Sequence, residues 1–188
     1  PAPPAEGSPS ISLRVAARAC EPFLFQEDGR ARGLDLDLIN VACSMLGWTY
    51  DLRWVSMQEA VDGLEAGTLD VAAGGIYVTP ERSKDLLFTR PYLRTGIVAV
   101  TRSDGRLRSA KDLAGKKVGV RHLAASEALA VELDRRLGLH LTLASFETSG
   151  ECLKALREGQ VDAALNDYQN SLYVIPQRYA GQLTVARS

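Results

Sequence analysis

The chain has 188 residues, 22 of them Lys or Arg and 23 Asp or Glu, for a formal charge of −1. That balance excludes a nucleic-acid binder driven by bulk charge, which needs a basic excess to displace counterions from phosphates. The 46% hydrophobic and 24% charged residues are those of a folded globular chain, and no run approaches the roughly 18 apolar residues of a membrane-spanning helix.

In chain order, residues 1–11 open with PAPPAEGSPS, rich in Pro and lacking large apolar side chains, which predicts a flexible tether. Such a tether is expected after a removed export signal or behind a lipid-anchored N-terminus. Residues 12–17 (SLRVAA) alternate as a strand, followed by an irregular segment with a turn at Glu27, Asp28 and Gly29. Residues 34–46 predict a packing helix whose apolar stripe is Leu34, Leu38, Val41, Ala42, Met45 and Leu46, stopped by Gly47. A strand at 49–55, a helix at 57–66 and a short buried strand at 69–73 complete a β-α-β-α-β unit.

The second half repeats that order: strand 117–120, helix 124–137, strand 141–145, helix 149–158 and strand 161–165. Between the halves, residues 87–101 carry two strand-like segments around Pro91, then a polar turn at 103–105. The expected organisation is a first lobe at 12–96 and a second at 97–188, with a hinge near 94–98. Strands alternating with helices predict an α/β fold of two lobes, each a parallel sheet with helices on both faces and its ligand groups at the carboxyl ends of the strands. Two such lobes define a cleft.

Cys20, Cys43 and Cys152 are too few and too scattered for a disulfide scaffold or a zinc site. Either Cys20 and Cys43 pair, or all three are small buried apolar side chains. No metal and no cofactor is expected. The sequence holds no GxSxG, no Gly-rich phosphate loop, no HExxH and no paired nucleophile and base, and its two histidines, His122 and His140, stand apart. Enzymatic chemistry is therefore not expected.

Residues 73–92, AGGIYVTPERSKDLLFTRPY, leave a strand through two glycines that permit close approach to a ligand, and place Arg82 just after Pro80 and Glu81. A guanidinium there suits a carboxylate, held in a bidentate pair, while an exposed ion pair with Glu81 or Asp85 is an equal alternative. At the matching position of the second half stands Asp167, which is either a helix N-cap or the anion that meets a ligand's ammonium. One cation and one anion, each at a strand's carboxyl end, are what a zwitterionic α-amino acid requires.

In these residues the chain resembles the periplasmic amino acid-binding proteins of ABC transporters, the family 3 bacterial extracellular solute-binding proteins with the type II periplasmic-binding-protein fold. The resemblance is carried by GLDLDL at 33–38, GTLDV at 67–71, GIYVTPER at 75–82, FTRPY at 88–92, DLAGKKVGV at 112–120, and GQVDA at 159–163 with Asp167. It implies two α/β lobes that close on a small ligand and deliver it to a membrane permease, outside the cytoplasm. It implies that Arg82 holds an α-carboxylate with help from the backbone near Gly75 and Tyr77, and that Asp167 holds the α-ammonium. The loop of His122, Ala124 and Ala125 stands where relatives carry small and hydroxyl residues. Arg18 stands where many carry Asp, and Tyr77 replaces a small Thr, which together favour an acidic or otherwise anionic ligand. The family's return segment to the first lobe is not expected within a sequence ending at Ser188, so an exposed apolar patch on that lobe, association with a second copy or an exchange of elements is expected.

Two other functions share this fold. One is the ligand-sensing extracellular domain of a receptor. The other is a cyclohexadienyl-dehydratase-like enzyme, in which Glu21, near Arg18 and Arg82, would be the general acid; a solvated Glu21, or one paired with Arg18, is the simpler expectation. Trp54 is the better ligand candidate of the two tryptophans, with a place in the core the more ordinary outcome.

Overall fold

The computed structural model describes residues 11–186, so the N-terminal Pro-rich segment, apart from Ile11, lies outside the described residues. The chain divides into two compact units at Arg90 and Pro91.

In the first unit, β1 (Ser12–Ala17) is the central strand, flanked in parallel by β4 (Thr49–Trp54) and β5 (Val71–Ala73). The apolar alternation of β1 serves both faces of this sheet. Val15 and Ala17 pack with Leu24 and Ala73 on one side, and Ala16 packs with Ala60 and Leu69 on the other. The crossovers are α1 (Leu34–Leu46), which ends at Gly47 with φ +67, and α2 (Met57–Glu65), which starts in a reciprocal Ser56–Glu59 capping box. The irregular stretch after β1 holds a small hairpin, β2 (Phe25–Glu27) and β3 (Arg30–Arg32). Asp28 and Gly29 turn it with φ +51 and +73, the backbone twist that two-residue hairpins favour.

The packing face of α1 differs from the expected one. Leu34, Leu38, Val41, Met45 and Leu46 are exposed, whereas Asp35, Leu36 and Cys43 are buried and Ile39 packs against the core. The helix carries apolar side chains on two faces, so periodicity alone could not choose between them. The buried Asp35 carboxylate decides, because it is tied to the backbone beyond β5 and brings Leu36, Ile39 and Cys43 inward with it.

The second unit has a five-stranded sheet ordered β10-β6-β9-β7-β8. Its β7 (Lys117–Arg121), β8 (Thr142–Phe146) and β9 (Ala163–Asp167) run parallel, linked by α3 (Ala125–Leu137) and α4 (Ser149–Arg157). The sheet is mixed rather than purely parallel: β6 (Ile97–Arg102) lies antiparallel to β9, and β10 (Leu183–Val185), reached through α5 (Tyr168–Arg178), lies antiparallel to β6. Of the two strands expected around Pro91 only β6 forms, since a proline has no N–H to give a ladder. Apolar layers cover both faces, one built on Leu153, Leu156, Val161 and Val174, the other on Leu113, Val118, Val120 and Ala130.

Of the two alternatives for the cysteines, the structure has the second, with no Cys20–Cys43 bridge. Cys20, Cys43 and Cys152 are all free and buried, the first in a tight loop paired with Leu24 and the second on the inner face of α1. They serve as small apolar side chains, and burial pushes the Cys152 thiol up to about 12.

Candidate functional site

The chemistry of the first unit gathers at the carboxyl ends of β1 and β5. Arg18 follows β1 directly. It is 5% exposed, and its N–H donates to the Ala73 carbonyl at 2.9 Å. Immediately beyond β5 come Gly74 and Gly75, with φ +122 and +64. A Cβ on Gly74 would lie 1.9 Å from the Arg18 carbonyl oxygen, and one on Gly75 would lie 2.6 Å from the Phe23 ring. The two glycines are thus required by close approach as well as by backbone conformation.

Oδ2 of buried Asp35 accepts from both the Gly74 and Gly75 N–H groups, at 2.8 and 3.0 Å. Sequence reasoning placed Asp35 in the GLDLDL motif without a role in the site. The available signal was an acidic residue in the first turn of a predicted helix, within the GLDLDL motif. Because the Gly75 N–H donates to Asp35, the contribution of this stretch to Arg82 comes from the carbonyl side. Arg82 Nη1 donates to the Tyr77 carbonyl at 3.0 Å, and the Arg82 N–H donates to Thr79 Oγ1 at 3.3 Å. Arg82 opens a single 3-10 turn, Arg82–Lys84. Its guanidinium is partly buried, and desolvation pulls its pKa below the usual value against the opposing pull of the Glu81 charge. A cation in that state gains more from an anionic partner than a solvated one does.

At the corresponding edge of the second unit, Asp167 ends β9 and is the N-cap of α5, its Oδ1 accepting the Asn170 N–H at 2.8 Å. Its Oδ2 accepts from the Thr95 hydroxyl at 3.5 Å. Beneath it lies a buried amide and hydroxyl network: Asn166 Nδ2 donates to Asn170 Oδ1 at 2.8 Å and to Ser171 Oγ at 3.0 Å, and Ser171 Oγ donates to the Asp167 carbonyl at 2.8 Å. Thr95, Asn166, Asn170 and Ser171 were not singled out in the sequence. The last two stand three and four residues after Asp167, where a helix start brings side chains back to its cap.

The β7–β9 register pairs Gly119 with Ala164, so three residues further on His122 and Asp167 leave neighbouring strands side by side. The His122 N–H donates to the Phe146 carbonyl at 2.8 Å, and its half-exposed ring has Nδ1 3.6 Å from Glu127 Oε2. That carboxylate also accepts the Leu123 N–H at 2.8 Å and the Ser145 hydroxyl, holding Leu123 at φ +52. Burial pushes the Glu127 carboxyl up, but the Ser145 and Leu123 hydrogen bonds and His122 outweigh it and leave it below the usual range. Ala124 is the N-cap of α3 with no side-chain hydrogen bond, and Ala125 is its first residue. Glu127 thus ties down the residue before the N-cap, while the first-turn N–H groups of α3 receive no side-chain cap.

Arg18 and Gly75 thus stand at the strand ends of the first unit, with Tyr77 and Arg82 bonded to each other on the segment that follows β5, and His122 and Asp167 stand at the strand ends of the second, with Ala124 and Ala125 at the start of α3. Trp54 packs against the first unit's core, and Glu21 is half-buried. Among the described residues no cluster of three His, Cys, Asp or Glu side chains offers a metal site, and no helix is long and apolar enough to cross a membrane.

The sequence profile of the bacterial extracellular solute-binding proteins, family 3, matches residues 13–122. The chain is 27% identical over 146 residues to a probable amino-acid-binding protein, YxeM, of Bacillus subtilis, covering 77% of this chain and 54% of that one. It is 27% identical over 168 residues to the virulence sensor protein BvgS of Bordetella pertussis, covering 88% of this chain and 13% of that one. The structure superposes on an ancestral arginine-binding protein bound to arginine with a TM-score of 0.87 at 27% identity, covering 94% of this chain and 78% of that one. The chain thus spans about half the length of YxeM and a small part of BvgS. With the profile match running over more than half of the sequence, the chain belongs to the bacterial extracellular solute-binding proteins of family 3.

Proposed function

We propose that this chain is the ligand-capturing part of an extracytoplasmic amino acid-binding protein that serves an ABC transporter permease. Its ligand is a small α-amino acid, with Arg82 receiving the carboxylate and Asp167 the ammonium. The observation that carries this reading is the partly buried Arg82 guanidinium, held by the Tyr77 carbonyl on the segment that follows β5. The first unit offers a cation and the second an anion, and a zwitterion asks for one of each. YxeM and the arginine-bound ancestral protein, both similar to this chain, support an amino acid as the class of ligand. Buried Arg18, beside the same strand end, favours a ligand with a second anionic group. The protein acts by binding and not by catalysis.

The test is a thermal-shift screen against the common L-amino acids and small dicarboxylates, repeated with Arg82→Ala and Arg18→Met. A ligand at about 100 times its Kd adds about 2.7 kcal/mol, a rise of roughly 5 to 10 °C for a chain of this size. The rise should vanish in Arg82→Ala. In Arg18→Met it should fall only for ligands with a second anionic group. A rise that survives Arg82→Ala would refute the assignment of the carboxylate receptor.

A second reading is favoured by the BvgS match, which covers 88% of this chain: the same binding unit would report ligand occupancy to a sensor. Growth on the identified amino acid as sole nitrogen source separates the two. Loss of the gene abolishes uptake of the labelled ligand if the protein feeds a permease, and leaves uptake intact if it feeds a sensor.

A further inference from the structure

Gly74 and Gly75 form a two-residue turn in which successive N–H groups point to the same side, the kind of backbone concavity that binds anions. In many ligand sites such a concavity is open to the ligand. Here it is filled from within, by Oδ2 of Asp35, at 2.8 and 3.0 Å. The carboxylate belongs to the first turn of α1, is 6% exposed, and is anchored at its own backbone by the bond from its N–H to the Phe23 carbonyl at 2.8 Å. Phe23 in turn lies against Gly75 and Gly33, where added Cβ atoms would meet its ring and its carbonyl. The Gly74–Gly75 turn is therefore clamped between Arg18, Phe23 and Asp35. Two residues later its Tyr77 carbonyl accepts from Arg82 Nη1.

We infer that Asp35 is a positioning residue for the Arg82 guanidinium. It fixes the Gly74–Gly75 turn, the turn fixes the Tyr77 carbonyl, and that carbonyl holds the guanidinium in place. Asp35 itself does not touch the ligand, since its oxygen is engaged by the two glycine N–H groups in a buried position. The charge matters as well as the shape. A carboxylate accepting two N–H groups makes charge-assisted bonds about twice as strong as those of an amide oxygen, so Asp35→Asn keeps an acceptor but loosens the turn. The consequence for binding rests on the reading of Arg82 as carboxylate receptor given above, whereas the mechanical link from Asp35 to Arg82 does not.

The experiment therefore has a ligand-free arm and a binding arm, with Asp35→Asn and Asp35→Leu compared with the unaltered protein. In the ligand-free arm, 15N–1H spectra follow the Gly74 and Gly75 amides and the Arg82 Nη protons, the last assigned by their loss in Arg82→Lys. Both glycine amide protons should move upfield in each variant. Solvent exchange of the Arg82 Nη protons should quicken by about tenfold in Asp35→Asn and more in Asp35→Leu. Unchanged Arg82 protons with shifted glycine amides would overturn the positioning role, and unshifted glycine amides would overturn the clamp itself. Should Asp35→Leu fail to fold, by circular dichroism, Asp35→Asn alone decides.

In the binding arm, calorimetry with L-arginine and L-glutamate measures Asp35→Asn in the unaltered and the Arg82→Lys backgrounds. A loss of about tenfold in the first background and little in the second supports action through Arg82. Equal losses in both would overturn it, because a general structural defect ignores which cation stands at 82. If neither amino acid binds the unaltered protein, the binding arm is run with the ligand found in the thermal-shift screen, and should that screen yield none, the carboxylate role of Arg82 falls while the Nη spectra still decide the role of Asp35.

Discussion

Asp167 has one role that the structure shows and one that is proposed, and a single substitution separates them. As N-cap of α5 it accepts the Asn170 N–H at 2.8 Å, and as proposed ligand anion it meets an ammonium. Asparagine is as good an N-cap as aspartate, whereas alanine costs about 1 kcal/mol. Asp167→Asn should therefore change the Tm of the ligand-free protein by less than about 1 °C, and Asp167→Ala should lower it by about 2 to 4 °C. Binding follows a different order. A hydrogen bond to a charged group contributes about 1.5 to 3 kcal/mol, so either substitution should weaken an α-amino acid by roughly 10- to 100-fold. Asp167→Asn thus combines an intact helix start with a lost ammonium partner. The assay is differential scanning calorimetry of both variants, followed by titration with the amino acid found in the screen and with its deaminated analogue. The analogue, which has no ammonium, should bind the variant and the unaltered protein alike. An Asp167→Asn protein that binds the amino acid with unaltered affinity would refute the ligand role and leave Asp167 as a helix cap.

Three further outcomes follow from local geometry. Gly74→Ala should lower the Tm by at least about 4 °C, because a positive-φ alanine costs about 1 to 3 kcal/mol and its Cβ would overlap the Arg18 carbonyl oxygen at 1.9 Å. Gly159→Ala, with φ +74 but nothing within 4 Å of the added carbon, should cost clearly less, and equal losses by calorimetry would refute the close-approach argument. Cys152, with its thiol pushed up to about 12 by burial, should not react with an aromatic disulfide reagent at pH 8 until the protein unfolds, and rapid labelling of the folded protein would contradict its placement. Asp70 accepts Arg14 Nε at 2.9 Å and Nη2 at 2.7 Å, and also the Arg14 N–H at 2.7 Å, which together hold its carboxyl well below the usual range. A depressed folded-state value stabilises above the unfolded value, about 4, and the contribution is lost as pH falls through the folded one. Acid titration should therefore show a loss of stability below about pH 4 that is smaller in Asp70→Asn, and an identical acid limb in the variant would remove Asp70 from the cause.

Where the sequence was legible, a single periodicity had a single outlet. The strand at 12–17 and the helix at 34–46 have the bounds that alternation and the Gly47 stop indicate, because Val15, Ala16 and Ala17 have core on both faces and left-handed Gly47 cannot extend the helix. Most of the family motifs led to the fold for the same reason, since GLDLDL opens α1, GTLDV, DLAGKKVGV and GQVDA lead into β5, β7 and β9, and GIYVTPER follows β5, whereas FTRPY at 88–92 lies outside any strand or helix. Illegible were the features that depend on a partner far along the chain. Strand β10 consists of three residues whose pairing is with β6, some eighty positions earlier, and no local pattern announces it. The two-faced α1 is the sharper case. Leu34, Leu38, Val41 and Met45 make a regular stripe, and yet they are exposed.

The difference on α1 lies in what an internal polar bond can decide that apolar area cannot. Turning α1 to bury the leucine stripe would gain apolar burial at about 25 cal/mol per Å², on the order of 1.5 to 3 kcal/mol for each large side chain fully covered. It would also carry Asp35 away from Gly74 and Gly75, leaving the buried Gly74 N–H unsatisfied at about 1 to 3 kcal/mol, the partly buried Gly75 N–H without its charged acceptor, and the turn that leads to Arg82 free. Leu36, Ile39 and Cys43 offer an alternative apolar face on the same helix, so turning would uncover that face as it covered the other, and the polar loss weighs against the difference. The helix therefore settles by its one buried carboxylate. The same carboxylate that made the packing face hard to read from periodicity is the one that ties α1 to the turn before Arg82.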